Sequence, residues 1–319
     1  MKRIVFSFLF LFSLWSISAN VNVTISDGID NYSLQSKMER EMSALLSEIN
    51  SAEQAQRSLD FSSLHLPLSV QESLSMLWEN SPFQCTDDEI VETCLTTGGG
   101  YQIRNIPLMM KPRDNNFNEQ EYQEAVISFD KAGEIESFYL ALNMNLYMNV
   151  IKSNNQITDI RRRQLILDYV EHFRTAYNTK DIAFLNQVFS DDALIITGKV
   201  VTVVKDGVKL PSKIVYNKQS KEEYLRKLRV VFSRNSYIKV TFDEIEVCRH
   251  PVNPNVYGVT LHQGYTSSNY HDDGYLFLLW DFSNEEAPKI YVRTWQPDSF
   301  DGKRLPKEKI FSFSDFEDE

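Results

Sequence analysis

Cysteine, histidine and glycine are scarce in this sequence, which has 3 cysteines, 5 histidines and 11 glycines among 319 residues. Histidine and cysteine are nowhere grouped at the spacing of metal ligands, so we expect no structural zinc, no other metal and no cofactor. The glycine run 98–100 is not followed by the lysine and hydroxyl residue of a phosphate-binding loop. It therefore predicts a flexible turn.

Basic residues are outnumbered, since Lys and Arg total 33 against 44 Asp and Glu. Loss of residues 1–19, which contain Lys2 and Arg3, would leave 31 basic and 44 acidic residues, a formal charge of −13. A chain this acidic is a poor general binder of nucleic acid, so we expect no nucleic-acid partner. The basic run at 161–163 is typical of a solvated helix start.

Long hydrophobic runs are also missing. The longest, residues 4–15, is shorter than the ~20 apolar residues of a membrane-spanning helix. It follows Lys2 and Arg3 and leads to small residues up to Ala19, which is the pattern of a secretory signal peptide over residues 1–19. We therefore expect export to the periplasm or to the outside of the cell. Asn20 and Val21, rather than a cysteine, directly follow Ala19, so we expect no lipoprotein. The shortness of the apolar run predicts that there is no stable membrane anchor.

Cys85 and Cys94 are the obvious pair for a disulfide in an exported chain. Between them, Thr86 and Glu89 match a capping box, which predicts a short helix. A helix that reached Cys94 would separate the two cysteines by roughly 13 Å, beyond the ~7 Å that a disulfide tolerates. We therefore predict no bridge there. Cys248, in the strand-like segment IEVCRH, is predicted to be a buried apolar residue.

The first half of the chain combines helical and strand patterns. Apolar residues recur at helical spacing over residues 32–56 and again over 70–79. Three later segments, YQIRNIPLMM, EAVISF and IESFYLAL, are typical of strands, and the last two flank a glycine-bearing hairpin turn. These patterns predict an α+β domain over residues 20–150, with helices followed by a small antiparallel sheet. The polar stretch 152–156 is the predicted domain boundary.

The second half begins with helices and ends with strands. A helix follows Asp159, the polar residues NTKD interrupt it, and a second helix starts at Ile182 and is ended by SDD at 190–192. A strand follows. A third helix, over residues 220–232, opens with an S-x-x-E capping box. Four strands are then predicted, near residues 238–248, 256–263, 275–282 and 290–296.

The order of these elements, a helix, AYNTKD, a helix, FSDDA, a strand, a helix and four strands, resembles the NTF2-like superfamily over residues 160–300. The resemblance implies that residues 157–300 form a cone of a curved antiparallel sheet around helices. Together with the patterns of the first half, it predicts an α+β chain of two domains. Residues 301–319 would be an acidic tail that docks along an edge or stays loose. The superfamily includes isomerases, cyclases, dehydratases, hydrolases and binding modules, so the fold does not choose the function.

Ketosteroid isomerases of this superfamily use an aspartate base and a tyrosine in an oxyanion hole. Matching the AYNTKD and FSDDA segments puts Phe173 at the tyrosine position and Thr197 at the base position. Phenylalanine has no hydroxyl, and threonine cannot take up a proton near neutral pH. The resemblance therefore predicts a non-catalytic protein. Asp191 and Asp192 match carboxylates that lie in a helix-to-strand turn and bond to its backbone.

The last two strands predict a pocket in the cone. Their expected pairing places Trp280 opposite Tyr291 and Leu278 opposite Arg293, whereas a one-residue slip would turn Asp281 inward. An arginine among aromatic side chains could clamp an anionic or planar ligand, although the same side chains could form core or a dimer face. The predicted pocket comprises Phe173, Tyr177, Thr197, His262, Trp280, Arg293 and Trp295.

Two functions stay open at this point. The first is an exported, non-catalytic binding or interaction protein, whose partner is an unknown small molecule or protein. The second is an enzyme of the lyase, isomerase or hydrolase type, with His262, Asp281 or Arg293 as catalytic candidates. His262, alone on a strand, is more typical of a structural histidine, and HDDG at 271–274 predicts a turn. A homodimer through the exposed face of the sheet is a third expectation.

Overall fold

The structure is a computed structural model that describes residues 20–111, 121–152, 160–202, 204–205 and 208–316. The predicted signal peptide, 1–19, and most of the predicted domain boundary, 153–156, lie outside these residues. No helix within the described ranges is long and apolar enough to cross a membrane. The chain is α+β and has two mixed sheets, each with helices packed on it.

The first sheet has the strand order β1-β3-β4-β5-β6, and β2 pairs with another part of β4. Strand β1 is parallel to β3, a pairing that the helices between them make possible, so the sheet is mixed rather than purely antiparallel. The elements are β1 Asn22–Asp27, α1 Tyr32–Gln54, α2 Leu68–Asn80, β2 Phe83–Cys85, β3 Glu89–Thr96, β4 Gly100–Met110, β5 Glu121–Asp130 and β6 Ile135–Leu140.

Helix α1 shows how the sequence positions these elements. The side chain of Asn31 accepts a hydrogen bond from the backbone N–H of Leu34 at 3.2 Å and so caps the helix. The buried residues of α1 recur every three or four positions and form one stripe along the helix. This stripe joins the core of the first sheet and contains Met38, Met42, Leu45, Leu46 and Ile49. Both helices and the hairpin predicted for this half are confirmed.

The helix predicted after Cys85 is wrong, because β2 and β3 occupy this region and both pair with β4. Ile90 and Cys94 are the buried residues of β3, and a spacing of four fits one face of a strand as well as one face of a helix. Pairing with β4 favours the strand. Cys85 and Cys94 are free, and burial raises the pKa of each thiol to about 11, which keeps both protonated at neutral pH.

The second sheet has the strand order β10-β7-β14-β13-β12-β11 and contains one parallel pair, β7 with β14. Its three predicted helices and its strands are confirmed, whereas helix α3 was not predicted. The elements of this half are α3 Met144–Lys152, α4 Ile160–Asn178, α5 Ile182–Val188, β7 Phe189–Val201, β8 Val204–Lys205, β9 Val208–Lys209, β10 Lys213–Ser220, α6 Lys221–Arg234, β11 Ile238–Arg249, β12 Val256–Ser267, β13 Tyr270–Asp281, β14 Lys289–Pro297, β15 Ser299–Phe300 and β16 Lys303–Arg304. Strands β8 and β9 form a separate two-stranded sheet, as do β15 and β16.

Two segments predicted as turns belong to strands. Strand β7 already begins at Phe189, so Asp191 and Asp192 lie in the strand, and Asp191 accepts a hydrogen bond from Lys221 Nζ at 2.8 Å. The HDDG segment at 271–274 likewise lies in β13, which begins at Tyr270. Strand β12 pairs with residues 271–274, whereas Asp191 and Asp192 lie in the register shift between the pairs Phe189–Ile290 and Leu194–Val292.

The pairing of β13 with β14 differs in one detail from the expected register. Leu278 lies opposite Arg293, as predicted, but Trp280 lies opposite Ile290 rather than Tyr291. A bulge at Tyr291 causes the shift, since the register jumps by one residue there. Trp280 consequently stays in the core and Tyr291 is exposed.

Each sheet has a buried apolar cluster of its own. The cluster of the second sheet includes residues from α4, α5 and α6, and also Leu142, Tyr147 and Val150, which precede the predicted domain boundary. Helix α3 therefore packs with the second sheet although it precedes residues 153–156. The division of the chain into two domains stays a prediction.

A buried ion pair connects strand β4 of the first sheet to helix α4. Arg104 Nη2 lies 2.5 Å from Glu171 Oε1, and the two side chains are 3% and 0% exposed. The backbone N–H of Leu142 also donates to Glu171 Oε1, at 2.6 Å. The Arg104 guanidinium lies 3.8 Å from the ring centroid of Tyr147. Glu171 is thus fully enclosed by groups that compensate its charge.

The C-terminal segment docks on the outer face of the second sheet, the face opposite the helices. Gln296 of β14 accepts a hydrogen bond from the backbone N–H of Phe311 at 2.8 Å and donates one to the carbonyl of Lys309 at 2.9 Å. The ring of Phe313 lies 6.0 Å from that of Phe277. A Cβ at position 258 would come within 2.8 Å of the Phe313 ring, so Gly258 leaves room for the segment.

Replacement of Phe313 by serine tests this docking. We expect the free energy of unfolding to fall by about 1–2 kcal/mol, because the half-buried ring would lose its contact with the sheet. Urea denaturation of the full chain measures the loss. Glu308→Gln, at an exposed position of the same segment, is the matched control and should change stability by less than about 0.5 kcal/mol. An equally small effect of Phe313→Ser would contradict the docking.

Candidate ligand-binding cavity

A cavity of about 450 Å³ lies between the inner face of the second sheet and the ends of helices α4 and α6. Helix α4 supplies Tyr177 and helix α6 supplies Tyr224, while the sheet supplies an arginine, a tryptophan and several polar side chains. The lining consists of Tyr177, Thr197, Gly198, Tyr224, Leu228, Val231, Asn235, Gln263, Tyr265, Ser267, Asn269, Tyr270, Asp272, Arg293 and Trp295.

Arg293 is the central feature of this cavity. It is only 5% exposed, and among the described residues its Nε and Nη1 atoms have no hydrogen-bond partner. The guanidinium carbon lies 5.0 Å from the ring centroid of Tyr224, in a cation–π contact. A buried donor without an acceptor costs about 1–3 kcal/mol, and a guanidinium does not lose its charge. The cavity therefore holds a fixed cation whose hydrogen bonds are incomplete.

Tyrosine hydroxyl groups surround this cation. The hydroxyl oxygens of Tyr177 and Tyr224 lie 2.5 Å apart. Burial raises the pKa of Tyr177 well above its usual range, and it raises the pKa of Tyr265 to about 12. Both phenols are therefore neutral at physiological pH. The Tyr265 hydroxyl has no partner among the described residues, so it is a further donor that a ligand oxygen could accept from.

Asp272 is the carboxylate of the cavity. Burial raises its pKa above the usual range, and Asp273 raises it further. Tyr270 donates a hydrogen bond to Oδ2 at 2.8 Å, whereas Oδ1 is buried without a partner in the described part of the chain. Arg293 acts in the opposite direction and lowers the pKa of Asp272, although Oδ1 does not bond to the guanidinium. The cavity therefore offers a cation and a carboxyl group that could each contact a ligand.

The structure brings four of the predicted pocket residues together at this cavity: Tyr177, Thr197, Arg293 and Trp295. Phe173 and Trp280 lie behind it in the apolar core, with their ring centroids 6.4 Å apart. The Phe173 ring also lies 5.2 Å from that of Tyr177, so it supports the cavity wall without lining it.

Two predicted residues, His262 and Asp281, do not line the cavity. His262 lies on the outer face of β12, where its Nδ1 is 2.6 Å from Asp243 Oδ1 and its ring contacts Tyr275. Side chains alternate along a strand, so the neighbours of His262, Leu261 and Gln263, point inward instead. Asp281 lies at the end of β13 and accepts hydrogen bonds from the backbone and side chain of Ser283.

Sequence reasoning missed Tyr224, Tyr265 and Asp272 as cavity residues. Tyr224 lies within the helix predicted over residues 220–232, and Asp272 lies in the segment predicted to be a turn. The alternation of β12 gave a usable signal, because Gln263 and Tyr265 share a face with the apolar Leu261. Among the described residues, no group of three His, Cys, Asp or Glu side chains is arranged to hold a metal ion.

No protein-family model and no curated protein sequence matches the chain significantly. Several solved structures are similar to part of it. Bd1075 of Bdellovibrio bacteriovorus has 20% identity and a TM-score of 0.34, covering 44% of this chain and only 42% of that protein. An NTF2-like protein of Cytophaga hutchinsonii has 13% identity and a TM-score of 0.29, covering 43% of this chain and 98% of that one.

Nuclear transport factor 2 of Cryptosporidium parvum has 10% identity and a TM-score of 0.31, covering 42% of this chain and 92% of the other. Two of these three structures thus carry NTF2-like names and match this chain over nearly their whole length. Identities and TM-scores this low carry no argument about activity, ligand or partner.

Proposed function

We propose that the protein binds a small organic anion in the cavity around Arg293 and holds its acidic group against the guanidinium. The observation that carries this proposal is the state of Arg293, a buried cation with two nitrogen atoms that lack hydrogen-bond acceptors. A carboxylate or a similar oxyanion would supply both the missing charge and the missing acceptors. Arginine is the side chain best suited to such a group, because its donors are fixed in one plane.

The rest of the cavity favours a ligand with a planar or aromatic body. Trp295, Tyr224 and Tyr265 offer ring surfaces, and 450 Å³ accommodates a ring with one or two substituents. Aromatic rings of ligand and protein prefer offset or edge-to-face contact. In this proposal the protein binds the ligand without transforming it, since Phe173 and Thr197 stand where a related isomerase would carry its catalytic groups.

The second sheet with helices α4 to α6 is, in our proposal, an NTF2-like cone. Support comes from the strand order β10-β7-β14-β13-β12-β11, from helices packed on one face only, and from the AYNTKD and FSDDA segments in the expected places. We also propose that residues 1–19 direct export, so that the ligand would be met outside the cytoplasm.

An enzymatic function is the second candidate, and Asp272 favours it. A carboxyl group with a raised pKa and an unbonded oxygen in a ligand cavity is a typical general base or acid. Arg293 would then stabilise developing negative charge. In this alternative Asp272 takes the role that the sequence suggested for Asp281 or His262.

Homodimerisation through the sheet stays a proposal, with one structural constraint. The segment 307–316 already covers part of the outer face of the sheet, around Phe277 and Gly258. A second copy would have to pack beside this segment or displace it. Sedimentation of the chain without residues 1–19 tests the proposal, because a single monomeric mass at micromolar concentration would contradict it.

A structure of protein purified from its native source tests the proposed binding function. We expect density for a small molecule in the cavity, with an acidic group at Arg293. The proposal would be contradicted if a bound molecule were found at a different site while the Arg293 cavity held only water. Incubation of the recovered molecule with fresh protein then separates the candidates, since an unchanged mass supports binding. Conversion by the natural protein but not by Asp272→Asn would support the enzyme.

A further inference from the structure

A second cleft, of about 620 Å³, lies between the first sheet and helix α4, away from the Arg293 cavity. Asp168 and His172 of α4 both line it, and a spacing of four residues puts them on the same face of that helix. Tyr139 and Gln102 of the first sheet form the opposite wall. We call this space the α4 cleft.

Asp168 is a carboxylate without a cationic partner among the described residues. Its Oδ1 accepts hydrogen bonds from Gln102 Nε2 at 3.2 Å and from the Tyr139 hydroxyl at 3.4 Å, and both donors are neutral. The nearby cation, Arg104, is committed to Glu171 at 2.5 Å. Burial and the charge of Glu171 raise the pKa of Asp168 to about 7. A charge in this position is normally stabilised by a counterion.

The remaining walls of the α4 cleft also favour a positive charge. Glu136, Glu285 and Glu286 lie along it, and its one arginine, Arg161, pairs with Glu285 at 3.0 Å. Tyr139 and Tyr169 offer aromatic rings, which attract cations through their faces. His172 adds no charge, since burial lowers its pKa to about 4.

We propose that the α4 cleft binds an organic cation, namely a primary amine whose ammonium group lies against Asp168. The ammonium group would replace the missing counterion, and the exposed carboxylates Glu136 and Glu286 would attract it to the entrance. This site shares no lining residue with the Arg293 cavity, and it does not depend on the function proposed for that cavity.

The groups that face Asp168 determine how this binding depends on pH. Asp168 titrates close to neutral pH, and its ionised form is the one that holds an ammonium group. At a pKa of about 7, roughly nine-tenths of Asp168 is ionised at pH 8 and roughly one-tenth at pH 6. The neighbouring titratable or charged groups are Arg104 of β4, Tyr139 of β6, Tyr147 of α3, Tyr169, Glu171 and His172 of α4, and Glu286.

Calorimetric titration of the full chain with putrescine tests the proposal, with the neutral 1,4-butanediol as the matched ligand. Putrescine stays doubly protonated over this pH range, so any pH dependence arises from the protein. We expect putrescine to bind about tenfold more tightly at pH 8 than at pH 6, and butanediol not to bind. Absence of putrescine binding at pH 8, or equal binding of the diol, would overturn the proposal.

Two further measurements keep the proposal testable if a variant is unstable. Carbon NMR of the unmodified protein should show the pKa of Asp168 falling when putrescine is added, and an unchanged pKa would exclude contact. Asp168→Asn, which keeps the shape of the side chain, should remove the pH dependence and weaken binding at pH 8 by at least about fivefold. Arg293→Met should bind putrescine like the natural protein, since it alters only the other cavity.

Discussion

Replacement of Glu171 by glutamine is expected to lower the free energy of unfolding by about 3–5 kcal/mol. The substitution keeps the shape of the side chain and removes its charge, so Arg104 becomes a buried cation without a counterion. Burial disfavours the charged form of Arg104, but a guanidinium cannot lose its proton, so the unfavourable buried charge would remain. Glu171 also accepts the backbone N–H of Leu142 at 2.6 Å, and this bond would weaken.

Chemical denaturation at constant pH measures this effect, and two variants control for it. Glu285→Gln disrupts the pairs with Arg161 and Arg162, in which Glu285 is 37% exposed, and should cost less than about 1 kcal/mol. The double substitution Arg104→Met with Glu171→Leu removes both charges and should recover most of the loss. A loss below 1 kcal/mol for Glu171→Gln would show that the pair does not hold β4 and α4 together.

Replacement of Arg293 by methionine is expected to have the opposite effect and to raise the free energy of unfolding by about 1–2 kcal/mol. Methionine has a similar length and leaves no donor unpaired, whereas each unpaired donor of Arg293 costs about 1–3 kcal/mol. The lost cation–π contact with Tyr224 and the lost hydrogen bond to Tyr177 offset part of this gain. A residue that lowers stability in the free protein, yet fits a ligand, is typical of a binding site.

Denaturation of the two proteins without added ligand measures this gain. Arg174→Met is a useful comparison, because Arg174 is also buried and its Nε also lacks a partner among the described residues, but its Nη2 donates to the carbonyl of Ala141 at 2.7 Å. Its loss should destabilise the protein, since that carbonyl would lose its partner. If Arg293→Met lowered the free energy of unfolding by as much as Arg174→Met, Arg293 would be a structural residue.

Local patterns in the sequence predicted most of the helices and strands. The stripe of α1, the capping box at Ser220 and the hairpin of β5 and β6 each depend on residues close together in sequence, and all three are confirmed. The helix predicted before Cys94 is wrong because the two buried residues there, Ile90 and Cys94, are four positions apart, a spacing that suits a helix and a strand equally. Only pairing with β4, a contact between distant segments, distinguishes the two.

The cavity residues were predictable only where strand register could be inferred. The pairing of Leu278 with Arg293 followed from the two neighbouring strands and is confirmed. The face on which His262 lies depends on the register of β12, which is set by β11 and β13. The approach of Tyr224 to Arg293 joins a helix and a strand that are almost 70 residues apart, and no local pattern carries that information.

The pair of Arg104 and Glu171 was invisible for the same reason, since 67 residues separate its members. Both residues belong to segments that gave correct secondary structure, a strand and a helix. Charged residues within such segments are usually solvated. Their burial follows from the packing of the first sheet on α4, which only the folded chain specifies.

Titration of the protein with benzoate tests the central claim most directly, with benzamide as a neutral ligand of the same shape. The claim predicts that benzoate binds, that benzamide does not, and that Arg293→Met weakens benzoate binding by about 10–100-fold while the protein stays folded. Asp168→Asn should leave benzoate binding unchanged. Equal binding of benzoate by the natural protein and by Arg293→Met would contradict the claim that Arg293 holds the acidic group of a ligand.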